Sequence, residues 1–306
     1  MLQGCDGAQN ISDDIIVYGA NREQHDKRLK QVLTQLQENG LTLNKDKCKF
    51  YMPQVIFMGL VLSEKGIGPT QEKVKAVVDA REPENVSEVK SFLGSVNFSA
   101  RFILDLATIS EPLRRLTKKG VPFQFGPDQK TAIQTLRNRL AQAETLGYFN
   151  RESKTKVITD TSPVGLRAVL VQEQNGENRV ISYASRILTD VERRYSQTDK
   201  EALGIVWACE RFHMYLYGVD FELWTDHRPL QFIYSARSRP SARIERWVLR
   251  LQPYTFTVNY LPGSQNIADS LSRLTTTERS EKQHRRKLHL FYSPECSAKS
   301  NDSRRD

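Results

Sequence analysis

Four acidic residues in the second half of the chain stand where elements begin or end: Asp160, Glu201, Asp226 and Asp269. The β-branched pair Val157-Ile158 runs into Thr159-Asp160, and Thr161-Ser162-Pro163 with Gly165 writes a turn. Asp160 thus leaves the end of a buried strand. Glu201 falls in the first turn of a long helical pattern, Asp226 closes Leu223-Trp224-Thr225, and Asp269 opens a short last helix. In an open α/β sheet, strand ends and helix starts meet at one edge. A cluster of oxygen ligands there suits Mg²⁺ or Mn²⁺ rather than zinc. Two such ions about 4 Å apart can activate a water and stabilise the leaving oxygen of a phosphodiester.

Each acid also has a plain structural reading. Asp160 before Thr-Ser-Pro suits an Asx-turn. Glu201 suits a capping box with Thr198. Asp226, followed by His227-Arg228-Pro229, suits a solvated turn, and Asp269 a dipole-stabilising acid near a helix N-terminus. Spacing alone leaves both sets open.

The elements that must position these acids are short strands and amphipathic helices. Strands are expected at Lys156–Asp160, Leu166–Gln174 and Arg179–Ser185, with Gln174-Asn175-Gly176 as hairpin chemistry between the last two. A helix follows from about Thr198 to Tyr217, then a strand at Phe221–Thr225, a helix bearing Ile244, Trp247, Val248 and Leu251, and a strand at Tyr254–Leu261. Residues 70–146 read as mainly helical and basic. Their helices start near Gln71, at the Asn85–Glu88 capping box and at Gly126-Pro127. Near the N-terminus, Asp13-Asp14 before Ile15-Ile16-Val17 marks a hairpin tip. Leu29, Val32, Leu33 and Leu36 then give a helix one apolar face, with a stop at Asn39-Gly40. Short strands are expected at Leu41–Leu43, Cys48–Tyr51 and Val55–Leu62, with a Gly-rich turn at Lys65–Pro69.

Bulk properties narrow the class. The chain of 306 residues carries a net charge of +9, which favours a polyanionic partner. Its four cysteines (Cys5, Cys48, Cys209 and Cys296) form no C-x-x-C pair, which excludes a zinc spacing or disulfide framework and fits a reducing compartment. No apolar run approaches the roughly 18 residues of a membrane span, so no membrane partner is expected. Met1–Asp6 has neither the basic nor the apolar region of a signal peptide, and an intracellular location, cytoplasmic or nuclear, is expected. Residues 275–306 turn to Thr, Ser, Lys and Arg and read as a basic disordered tail.

The order and local text of these motifs resemble the reverse transcriptase–ribonuclease H segment of gypsy-type LTR retrotransposon Pol polyproteins. Ile158–Ser162 with Gly165 is similar to the first RNase H acid motif, Tyr195–Leu203 to the second, Trp224–Leu230 to the third and Gly263–Arg273 to the fourth. The likeness spans residues 10–274. It implies an α+β and α/β multidomain chain: the end of a reverse transcriptase palm (1–69), a thumb-like helical region (70–120) and a connection segment (121–152). An RNase H-like mixed five-stranded sheet with flanking helices (153–274) follows, then the tail (275–306).

The resemblance implies Mg²⁺- or Mn²⁺-dependent endonucleolytic cutting of the RNA strand of an RNA–DNA hybrid. Two ions are held by Asp160, Glu201, Asp226 and Asp269. It implies that Asp13 and Asp14 are remnants of the polymerase metal site, and that Phe57, Met58 and Gly59 grip the primer. Arg167, His227, Arg243, Arg246, Trp247 and Asn266 are candidate nucleic-acid contacts.

Three departures stand out. Ile11 replaces the aromatic expected two residues before the acidic pair. Arg167 replaces a small residue beside the metal-bearing strand, either reaching toward RNA phosphates or crowding the hairpin. Pro262–Asn266 lacks the expected histidine, so His227 is either a proton donor or a satisfied turn residue. With Met1 so close to Asp13, fingers and a third polymerase aspartate have no room upstream, and the chain alone is expected not to polymerise DNA. The alternatives are a non-catalytic nucleic-acid binder, a decayed transposon-derived protein, or a subunit docking onto a complete reverse transcriptase.

Overall fold

The computed structural model describes residues 4–230 and 241–261; Asn266, Asp269 and the tail lie outside them. The chain divides after Thr70 into two compact units.

The first unit opens with an antiparallel hairpin of β1 (Ala8–Ile11) and β2 (Asp14–Val17), in which Ile11 pairs with Asp14. Helix α1 (Arg22–Glu38) follows. Its N-cap Asn21 accepts the Gln24 N–H at 2.9 Å, satisfying one orphan donor of the first turn. Val32 and Leu36 bury one face with Cys5 and Ala8, whereas Leu33, expected on that face, is exposed. The strands expected at Leu41–Leu43 and Cys48–Tyr51 do not form; only a single 3₁₀ turn, Lys45–Lys47, lies between them.

β3 (Gln54–Phe57) and β4 (Leu60–Ser63) form a hairpin closed by Met58 and Gly59, both in the left-handed region (φ 50° and 73°). Two positive φ values match the strand twist in a two-residue loop. The Gly-rich stretch expected as a turn becomes β5 (Gly66–Pro69), paired antiparallel with β4. Ladder pairing outweighs its low strand propensity.

The second unit begins with four helices: α2 (Gln71–Val78), α3 (Val86–Phe98), α4 (Leu106–Leu116) and α5 (Pro127–Ala141). Asn85 caps α3 by accepting the Glu88 N–H at 2.9 Å, while the Glu88 carboxylate accepts from the Glu84 N–H and the Asn85 side-chain amide rather than from the Asn85 backbone N–H. Val77, Val89, Val96, Leu113, Ile133 and Leu136 share the helical core. The sequence pattern did not reveal α4: Pro112 lies inside it, and Asp105 enters it in the left-handed conformation, φ 61°.

The sheet follows. Its strands are β6 (Thr155–Thr161), β7 (Gly165–Gln174), β8 (Glu177–Ile187), β9 (Asp220–Thr225) and β10 (Thr255–Tyr260). Their spatial order is β10-β9-β6-β7-β8, with β9 parallel to both β6 and β10, and β6, β7 and β8 antiparallel. Helices α6 (Gln197–Arg211), α7 (His213–Leu216) and α8 (Ala242–Leu251) belong to this layer. Parallel strands need a crossover, and α6 supplies it between β8 and β9. Ala202, Ile205, Val206 and Cys209 of α6 bury against Val157, Leu166, Ala168 and Leu170. Ile158, Val169 and Val171 fill the opposite face with Leu104. The Asn175-Gly176 turn, expected from its residue types, has both residues at positive φ.

Candidate metal centre

β6 and β9 run parallel with Thr159 beside Thr225, so the next residues, Asp160 (still paired with β7) and Asp226 (just past β9), lie at the same end of the two strands. Glu201 arrives from above. Ser196 caps α6 by accepting the Asp199 N–H at 3.1 Å, so the box expected on Thr198 does not form. Glu201 is therefore one turn inside the helix, not a capping residue. Gly204, three residues on, lets α6 approach β6: a Cβ there would lie 3.1 Å from Thr161 Cγ2.

Ligand oxygens of Asp160, Glu201 and Asp226 all lie within 4.8 Å of one another. Glu201 is only 2% exposed. Its Oε1 accepts from Gln197 Nε2 at 2.6 Å and from the Thr161 hydroxyl. Its Oε2 is buried with no hydrogen-bond partner among the described residues. Burial, then repulsion from Asp226 and Asp160, pushes the Glu201 carboxyl up to about 8 despite these two donors. Asp226 is also raised, by burial first and by Asp160 next. Three converging acids, with Glu201 buried and carrying an orphaned oxygen, Asp160 partly buried and Asp226 exposed, are a donor set that a hard divalent cation fits.

Other expected site residues fall elsewhere. His227 Nε2 meets Thr198 Oγ1 at 2.9 Å, joining the turn to α6. Arg243 stacks 4.1 Å over the Tyr195 ring and pairs with Asp199 at 3.1 Å. Arg246 is exposed and bonds back to the Ala242 carbonyl. Trp247 is a correction: expected to face nucleic acid, it is 9% exposed and belongs to the core beside Tyr195. Its indole gains more by burial than by presentation at the surface.

Arg167 is a second correction. It neither extends into solvent nor simply crowds the hairpin. Its guanidinium pairs with Asp160 and with Asp105, a residue the sequence reading did not single out. In the first unit, Asp13 and Asp14 are exposed at the hairpin turn, and Phe57, Met58 and Gly59 form the β3–β4 corner. Thr161 and Gln197 are further additions. Their signal was position: one follows Asp160, the other precedes Glu201 by one helical turn.

Residues 150–254 match the family model of the RNase H-like domain found in reverse transcriptase, and residues 12–62 that of reverse transcriptase (RNA-dependent DNA polymerase). The transposon Tf2-3 polyprotein of Schizosaccharomyces pombe is 36% identical over 267 residues, covering 86% of this chain and 20% of that polyprotein. The chain belongs to the reverse transcriptase–RNase H family of retrotransposon Pol polyproteins. The retrovirus-related Pol polyprotein from transposon 412 of Drosophila melanogaster is likewise 36% identical over 267 residues, covering 87% of the chain and 22% of its own length. The chain thus spans about a fifth of the length of these Pol relatives. Among solved structures, the foamy viral protease-reverse transcriptase in complex with RNA/DNA hybrid shares the fold with a TM-score of 0.73. That match has 22% identity and covers 92% of this chain and 38% of that one. The foamy viral protease-reverse transcriptase dRH in complex with double-stranded DNA gives 0.74 and 23%, covering 85% and 47%.

Proposed function

We propose that the second unit hydrolyses the RNA strand of RNA–DNA hybrids with Mg²⁺ or Mn²⁺. The observation that carries this is the meeting of Asp160, Glu201 and Asp226, with Glu201 keeping a buried Oε2 that has no hydrogen-bond partner among the described residues. These three would hold the cation, and Asp269, outside the described residues, is assigned as the fourth acid of a two-ion set. When bound, the metal supplies activation of water and stabilisation of the leaving oxygen.

The chain's own residues do the rest. Thr161 and Gln197 hold Glu201 Oε1, which leaves Oε2 buried and without a hydrogen bond among the described residues. The Glu201 proton must leave before both its oxygens can serve as anionic ligands, so cation binding strengthens toward pH 8. A net charge of +9 favours a polyanionic substrate. The foamy viral relative's complex with RNA/DNA hybrid supports that substrate class. The 2′-hydroxyl is the group that distinguishes the RNA strand.

We assign no polymerase activity to this chain alone. Asp13 and Asp14 lie exposed, and no third His, Cys, Asp or Glu joins them in an ion-holding cluster among the described residues. A second reading, nucleic-acid binding without cleavage, is favoured by one observation, the ion pair of Arg167 on Asp160. Asp160→Asn separates the two. Under the hydrolytic reading it abolishes Mg²⁺-dependent cleavage of a labelled hybrid while retaining the fold by circular dichroism. Unchanged cleavage would remove the assignment.

A further inference from the structure

Arg167 sits directly opposite Asp160 in the β6–β7 hairpin, and the register makes this unavoidable. Cross-strand neighbours lie about 5 Å apart at Cβ and project to the same face. On that face the Arg167 guanidinium donates to Asp160 Oδ2 through Nε at 2.7 Å and also through Nη2. Nη1 reaches Asp105 Oδ2 at 3.4 Å. All three side chains are largely shielded, with Arg167 26%, Asp160 19% and Asp105 20% exposed.

Asp105 stands at the N-cap position of α4, yet makes no capping bond. Its carboxylate is committed to Arg167 instead. Asp160 is one of the three acids whose oxygens converge.

We propose that Arg167 is a built-in counter-ion of the acid cluster, competing with the divalent cation for Asp160. This rests on the metal-centre reading above and adds a control on it. A guanidinium brings one positive charge and a planar donor fork, and here both prongs, Nε and Nη2, converge on the single oxygen Oδ2 of Asp160. Asp105 holds that fork from the other side, so the arginine is anchored in place rather than drawn in from solvent. A divalent ion held by Asp160 would have to share that carboxylate with the guanidinium, which Asp105 keeps beside the cluster as a nearby positive charge. The cluster consequently binds divalent cations more weakly than the same three acids would with a neutral residue at position 167.

The test is Mn²⁺ binding to the full 306-residue chain, read by electron paramagnetic resonance of the free ion, for wild type, Arg167→Gln and Arg167→Ala. Both substitutions are expected to tighten binding by about tenfold or more, the lower end of what partners of metal ligands contribute. Adding Asp160→Asn to Arg167→Gln is expected to erase that gain. Equal or weaker binding by both variants overturns the role of Arg167 and leaves the metal centre standing. Absence of Mn²⁺ binding in all the proteins overturns the metal centre and this inference together.

A measurement on wild type alone does not depend on the variants folding. The Arg167 Nε–H resonance should be protected by the ion pair and should shift on Mg²⁺ titration. A resonance unmoved at saturating Mg²⁺ contradicts the competition.

Discussion

Two groups of acids in this chain invite the same chemistry and meet opposite fates. Asp13 and Asp14 are neighbours in sequence, exposed on a hairpin of the first unit. Asp160, Glu201 and Asp226 are 41 and 25 residues apart in turn, yet their oxygens converge at one end of the paired strands β6 and β9 of the second. Adjacency gives the first pair two carboxylates in high dielectric. Topology gives the second group three carboxylates, one buried, with mutual repulsion that a bound divalent cation would relieve. Chemical competence comes from burial and convergence more than from local sequence.

The largest expected difference between the two groups is in activity. Glu201→Gln should lower hybrid cleavage by at least ~100-fold, the upper end of the loss seen even for residues that only support a ligand. Asp13→Asn and Asp14→Asn should leave cleavage unchanged. Equal losses in both groups would erase the distinction.

Stability against pH sharpens it next. Burial, then Asp226 and Asp160, raises the Glu201 carboxyl from 4.5 to about 8. Between those values the folded chain keeps a proton that the unfolded chain has released. Metal-free stability should therefore be greatest below about 4.5 as far as this group is concerned, and should fall as pH rises to 8. Glu201→Gln should remove that slope and make the chain more stable at pH 8.5, by on the order of a few kcal/mol. Urea unfolding at pH 5, 7 and 8.5 measures both curves.

Smaller effects follow. Gly204→Val places side-chain atoms against Thr161 and should cost roughly 1–3 kcal/mol by overpacking, shifting α6 off β6. Thermal unfolding reports the loss, and weaker Mn²⁺ binding reports the displaced Glu201. Smallest of all, Asp13→Asn and Asp14→Asn should change stability by no more than about 0.5 kcal/mol, as exposed substitutions usually do.

Much of the sheet was legible because its strands are β-branched and its turns carry strong chemistry. Val157-Ile158 and Asn175-Gly176 each have one dominant local solution. The acids were candidates by their place near element ends, but each kept a plain structural reading until the resemblance singled out the set.

What stayed hidden depended on partners far along the chain. β5 exists because β4 offers it a ladder, although Gly66 and Gly68 argue for a turn. Helix α4 carries Pro112 and begins after a left-handed Asp105, so its local signals point away from a helix. Trp247 among arginines looked like a nucleic-acid contact until the core claimed it. The role of Arg167 required the hairpin register, which fixes Asp160 as its partner, and Asp105, which no local pattern connects to it.

Cleavage of a hybrid carrying a labelled RNA strand, followed as Mg²⁺ is titrated against EDTA, tests the central claim most directly. The wild-type chain should cut the RNA strand only with the cation present and leave a DNA duplex of the same sequence intact, and Asp160→Asn should cut neither. Cleavage that survives EDTA, or that Asp160→Asn retains, would contradict an acid-held cation as the agent of hydrolysis.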